Sequence, residues 1–138
     1  MRIMKSSIIS GLIAGFFASI VGFVTSVIHV TNLGLTYAFT PVPNPSITDL
    51  ARIELSLGII WGMIWGILYS KFHKSIPGKG ISKSINFGLI IWLISWGRAL
   101  LFWSGYGFVF ESIVAGFFRI LQMIVFGLIL GYLYKPKK

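Results

Sequence analysis

Four long apolar runs alternate with short polar stretches along the chain: about Ile8–Val30, Ala51–Phe72, Ile85–Trp103 and Ile113–Tyr134. Each run is continuously apolar, without the every-second-residue alternation of a half-buried strand. A helix needs about 20 apolar residues to cross about 30 Å of hydrocarbon, and each run has roughly that length. Inside lipid the backbone must satisfy its own hydrogen bonds, so the pattern predicts helices. The expected fold is an all-α, polytopic four-helix transmembrane bundle. It forms one domain over 1–138, with a Pro-rich outer loop at 31–50 and a basic inner loop at 73–84.

Composition agrees with that pattern. The 138 residues are 56% hydrophobic and 11% charged, with mean hydropathy +0.88, where soluble domains carry about 25% charge. An ordinary soluble enzyme and a disordered chain are both excluded. The formal charge of +9 raises nucleic acid as a partner, but no basic soluble module carries it. The positives instead sit between apolar runs: Arg2 and Lys5; Lys71, Lys74, Lys79 and Lys83; Lys135, Lys137 and Lys138. The stretches Thr31–Leu50 and Ser104–Ser112 hold no Lys or Arg. The positive-inside rule therefore places both termini and the 73–84 loop in the cytoplasm of a multi-pass cell (plasma) membrane protein. Trp103, Tyr106, Tyr37 and Phe108 would mark the outer interface, and Tyr69, Phe72, Tyr132 and Tyr134 the inner one. The first run is too long for a signal-peptide core and is read as an uncleaved helix.

Pro41, Pro43 and Pro45 hold the outer loop extended, as a stiff connector or as a docking surface for an external partner. Ser46-Ile-Thr-Asp49 has the form of a helix start. Gly78-Lys79-Gly80 lacks the first glycine of a phosphate loop and is read as a turn whose lysines reach water or anionic lipid. A faint parallel repeat links Gly62-Met-Ile-Trp-Gly66-Ile-Leu-Tyr69 to Gly127-Leu-Ile-Leu-Gly131-Tyr-Leu-Tyr134. It also links Gly11-Leu-Ile to Gly88-Leu-Ile.

Candidate chemistry is sparse. With no cysteine, the chain can form no disulfide, iron–sulfur site or thiolate metal site. Asp49, Glu54 and Glu111 are too scattered for a carboxylate metal cage, and His29 and His73 end different runs. No cofactor and no metal are expected. Small residues at every fourth position (Gly11 and Gly15; Gly58, Gly62 and Gly66; Gly127 and Gly131) let backbones approach closely. Trp61 and Trp65, like Trp92 and Trp96, form wide aromatic faces near mid-membrane that suit packing against a helix or another subunit. Arg98 and Arg119 each fall about four residues, or ~6 Å, outside the midplane, where a charge costs about 2.5–3.5 kcal/mol. Side chains tilt toward their helix N-terminus, so Arg119 is aimed at the outer surface and Arg98 toward the midplane. Arg98 is thus expected to be the buried, paired charge. Glu54 is the expected counter-ion for Arg98 or Arg119; Glu111, His29 and Gln122 complete a polar set on the outer half. The set serves either as an ion-pair network fixing helix register or as an outward-opening site for an anion or polar substrate.

The segments Gly62-x-x-x-Gly66-x-x-Tyr69, Pro77-Gly-Lys-Gly80 and Lys83-x-x-x-Phe87-Gly-Leu-x-x-Trp92-Leu resemble those of small four-helix membrane proteins of archaea and bacteria. The resemblance implies four helices and no activity. Small multidrug transporters fit worse, because helix 1 lacks their acidic residue. Dual-topology fluoride channels fit worse, because this chain has a strong charge bias. Two functions stay open. One is a non-catalytic accessory subunit packing within a larger membrane complex of respiratory or monooxygenase type. The other is a small oligomeric transporter or channel lined by Arg98, Arg119 and Glu54. The expected partners are the lipid bilayer and other membrane subunits or copies of the chain, not nucleic acid.

Overall fold

The computed structural model describes residues 2–32, 45–105 and 109–134; the side chains of Arg98 and Glu111 lie outside the described residues, as does most of the Pro-rich loop. Four helices fill these segments: α1 (Arg2–Val27), α2 (Ile47–Phe72), α3 (Ile81–Ser104) and α4 (Val109–Leu133). A π-helical turn, Ile28–Asn32, continues α1. There is no strand among the described residues. Three helices are long and apolar enough to cross a membrane, over Ser6–Val27, Ile47–Phe72 and Ile113–Leu133; α3 contributes a shorter apolar stretch, Ile81–Gly97.

The helices start four to six residues before the apolar runs do, and at α2 a cap rather than hydropathy sets the start. At α2, Ser46 Oγ accepts the Asp49 amide at 3.2 Å and the Asp49 carboxylate accepts the Ser46 amide at 3.1 Å, so two otherwise unpaired donors are satisfied. Asp49 in the first turn and Lys71 in the last both complement the helix dipole. Between α2 and α3 the chain reverses through Gly78 (φ 108°) and Gly80 (φ 54°), a backbone conformation that favours glycine. Asn86 Nδ2 donates to the Pro77 carbonyl at 3.0 Å and ties this turn to the second turn of α3.

In space α1 lies against both α2 and α4, and α3 packs on α4. The buried side of α1 is built almost wholly of small residues: Ser7, Ser10, Gly11, Ala14, Gly15, Ala18, Ser19, Gly22 and Ser26. Its other side exposes Ile9, Ile13, Phe16, Phe17, Ile20 and Val24. That division leaves an apolar surface suited to lipid and a thin inner face that brings backbones together. A Cβ on Gly62 would lie 2.7 Å from the Gly15 Cα, and one on Gly11 would fall on the Gly62 carbonyl, so α1 and α2 touch main chain to main chain. Likewise, a Cβ on Gly127 would lie 2.7 Å from the Ile85 Cα and from the Ser84 carbonyl, closing α3 on α4. These glycine faces are therefore covered within one chain. Ser19 Oγ donates to the Phe16 carbonyl at 2.7 Å, which satisfies a hydroxyl that packing has buried.

The core forms where larger side chains fill the space left by these approaches. Ala14, Ala18, Tyr69, Ile76, Phe87, Phe126, Leu130 and Tyr134 make one cluster, with Trp65, Leu68, Ile91 and Ile129 against it. Tyr69 and Tyr134, expected at the inner interface, are buried within the bundle, and their rings meet edge to face, 5.3 Å apart. Phe72 and Tyr132, from the same expected belt, are exposed.

Candidate functional site

The polar candidates converge at the end of the bundle opposite the 73–80 turn. Glu54 stands in the second turn of α2 and is 1% exposed. Arg119 reaches it from α4, with Nη2 2.6 Å from Oε1 and Nη1 3.0 Å from Oε2, a two-pronged guanidinium–carboxylate pair. Ser26 Oγ of α1 donates to the same Oε1 at 2.8 Å. Gln122 lies one turn along α4 from Arg119 and accepts a further bond from its Nη1 through Oε1. Donors from α1 and α4 thus meet on one carboxylate of α2.

Gly22 makes this convergence possible. A Cβ there would lie 2.6 Å from Gln122 Nε2 and 2.7 Å from Glu54 Oε2, so a side chain of any size would push the cluster apart. Neither Gly22 nor Ser26 stands out in the apolar pattern. The signal that could have found them is the run of small residues Gly15, Ala18, Gly22 and Ser26 at three- and four-residue steps along one face.

The helix direction aims Arg119 at the outer surface, but its guanidinium turns to Glu54. Its side chain is 22% exposed and ends on Glu54. The initial tilt of a side chain fixes only its first bond, whereas the arginine stem reaches about a helical turn either way. What decides the pairing is that α2 and α4 both pack on α1, so that the long Arg119 side chain meets Glu54 beside it. The places of Arg98 on α3 and Glu111 on α4 are set by their helices, but what their side chains touch lies outside the described residues. His29 is buried on the π-helical turn, beyond Ser26.

The tryptophans divide. Trp92 Nε1 donates to the Gly116 carbonyl at 3.0 Å, and buried Trp96 rests on the same glycine, so this pair packs α3 on α4. Trp61 and Trp65 stack with ring centroids 5.8 Å apart. Trp65 meets Phe126 edge to face at 5.5 Å, while Trp61 is 45% exposed.

At the opposite end, His73 ends α2 with its ring 5.1 Å from Tyr69 and 5.6 Å from Tyr134, and its Nδ1 is buried without a hydrogen-bond partner. Burial, and then the nearby Lys83 charge, hold its pKa below the ordinary histidine value. No group of three or more His, Asp or Glu that could hold a metal ion occurs among the described residues. No protein-family model, curated protein or solved structure matches the chain.

Proposed function

We propose that the chain is a non-catalytic integral membrane protein that packs as an accessory subunit within a larger membrane assembly. It crosses the bilayer four times, with both termini and the 73–84 loop in the cytoplasm. A fourth crossing is supported by the full length of α3, 24 residues or ~36 Å at 1.5 Å per residue. Orientation is supported by the lysines at 71, 74, 79 and 83 and the absence of Lys and Arg from the stretch 31–50.

The observation that carries the accessory reading is the contrast between the polar cluster and the Trp61 face. Glu54 and Arg119 are spent on each other, so they offer no open polar path. That favours a packing role over a transporter lined by these residues. Mid-helix, Trp61 and its stacked neighbour Trp65 leave a broad aromatic face partly uncovered on α2. Aromatic side chains that become buried on contact dominate helix and subunit interfaces.

Native mass spectrometry of the protein released gently from its own membranes tests the reading. The expected result is a foreign polypeptide at fixed stoichiometry, lost in Trp61→Ala while the chain itself stays folded. Recovery of the chain alone, or only with copies of itself, overturns it.

A further inference from the structure

The charges of the chain sort by end. Gly66 packs on Ser7 and Gly11, Gly131 packs on Ser84, and Tyr69 meets Tyr134. The start of α1, the end of α2, the start of α3 and the end of α4 therefore lie together, at the end of the bundle that holds the 73–80 turn. Arg2 and Lys5 of α1, Lys71 of α2, Lys74 and Lys79 of the turn and Lys83 of α3 stand here. Lys135, Lys137 and Lys138 follow α4 in the sequence. All three carboxylates, Asp49, Glu54 and Glu111, belong to the opposite half, where Arg52, Arg98 and Arg119 match them in number. The formal charge of +9 is thus carried by the other cations.

The helix dipole does not account for this arrangement. A helix start is positive, so acidic residues stabilise it and cations do not. The two helices that start at the opposite end follow the rule, with Asp49 in the first turn of α2 and Glu111 close behind the first residue of α4. The two that start here break it. Neither α1 nor α3 has an acidic residue in its first turn; Arg2 and Lys5 stand at the one and Lys83 at the other, with Lys79 just ahead of it. The stretch 55–110 contains no Asp or Glu to offset Lys71, Lys74, Lys79 and Lys83. After burial, the Lys83 charge is what holds the His73 imidazole below its ordinary pKa, so the field of this lysine reaches into the turn. Repulsion of this kind calls for an anion from outside the chain.

Apolar side chains at the same level say which anion. Phe72 ends α2, Ile81 begins α3 and Tyr132 lies in the last turn of α4, and all three are exposed. A polyanion in water would cover the ammonium groups and leave these side chains bare. A headgroup layer meets the ammonium groups with phosphate, and the lysine stems and neighbouring rings with acyl chain.

We infer that this end is a binding surface for anionic phospholipid headgroups, with Lys79 and Lys83 among its contacts. The inference rests on the chain lying in a bilayer, not on its being an accessory subunit or on which side it turns to the cytoplasm.

The test uses the full-length protein in vesicles of phosphatidylcholine, alone or mixed with phosphatidylglycerol. Lipids retained by the released protein are counted by mass spectrometry, and unfolding midpoints are measured in both vesicles. Phosphatidylglycerol is expected to be retained over phosphatidylcholine, and K79Q/K83Q to lower that preference by about fivefold per lysine. Arg52→Gln removes an exposed cation beside Asp49 at the other end and is expected to leave the preference unchanged. In phosphatidylcholine alone K79Q/K83Q is expected to unfold no earlier than the parent, since it relieves repulsion; with phosphatidylglycerol only the parent's midpoint rises. A lysine that merely held the turn would show its loss in both vesicles, and that result overturns the inference. Equal retention of the two lipids, or an equal loss of preference in Arg52→Gln, overturns it as well. Binding of an RNA oligonucleotide without a preference between the lipids would make the partner a nucleic acid and sinks it too.

Discussion

At the scale of single residues, the carboxylate of Glu54 is the most constrained group described. It is 1% exposed and accepts from Arg119 and Ser26. Removing one member of such a pair strands the other charge. Glu54→Ala is therefore expected to lower stability by about 3–5 kcal/mol in reversible detergent unfolding. Ser26→Ala removes one neutral donor and is expected to lower it by about 1 kcal/mol. Two glycine substitutions should separate in sign. Gly22→Ala forces the cluster apart and is expected to destabilise by about 1–3 kcal/mol. Gly97→Ala meets nothing within 4 Å and is expected to stabilise by about 0.5–1 kcal/mol, through reduced backbone freedom in the unfolded chain. Of this cluster, Glu54, Arg119 and Gln122 were legible as rare polar groups in an apolar chain. Their pairing was not, because it depends on which helix stands beside which. Ser26 and Gly22 were hidden because serine and glycine are ordinary in apolar helices.

At the scale of elements, the runs of apolar residues located each helix, while the start of α2 was set by local chemistry that hydropathy does not weigh. The Ser46–Asp49 box is the case where that chemistry was readable, since its spacing is fixed by the backbone it caps. The place of Tyr69 and Tyr134 was not readable, because an aromatic near a helix end suits a core or an interface equally well until the neighbouring helix is known. Their contact with His73 makes the end of α2 sensitive to pH. Burial and Lys83 keep the folded imidazole neutral, so its folded pKa lies below the unfolded 6.5. The unfolded chain then takes up the proton first, and the contribution is full above that value and falls as the pH drops below it. Stability of the parent should decline from about pH 7 to pH 5 more steeply than that of His73→Phe, measured by unfolding midpoints across the range. If the two slopes coincide, the histidine has no such role. Where α1 meets α2, Gly62→Val sets a branched side chain against the Gly15 backbone and is expected to separate the two helices, seen as loss of compact monomer.

At the scale of the whole molecule, the arrangement of helices was beyond the reach of the sequence. Small residues mark faces that approach closely, but they do not name the partner, and α1 turned out to use its small face for both α2 and α4. The charge distribution, by contrast, supports the sidedness proposed above. Because the natural chain has no cysteine, a single Lys79→Cys substitution gives a clean reporter. An impermeant thiol reagent is expected to label it only after cells are opened, and labelling of intact cells would reverse the proposed orientation.

The closure of Arg119 on Glu54 has an electrical consequence. A transmembrane voltage does work of about 2.3 kcal/mol per 100 mV on one elementary charge carried across the whole bilayer. A bonded cation and anion that move as one body carry no net charge, so on this pair the voltage does next to none. Neutralising either member, as in Glu54→Gln, leaves the other with a net charge on which a voltage across the proposed membrane would pull.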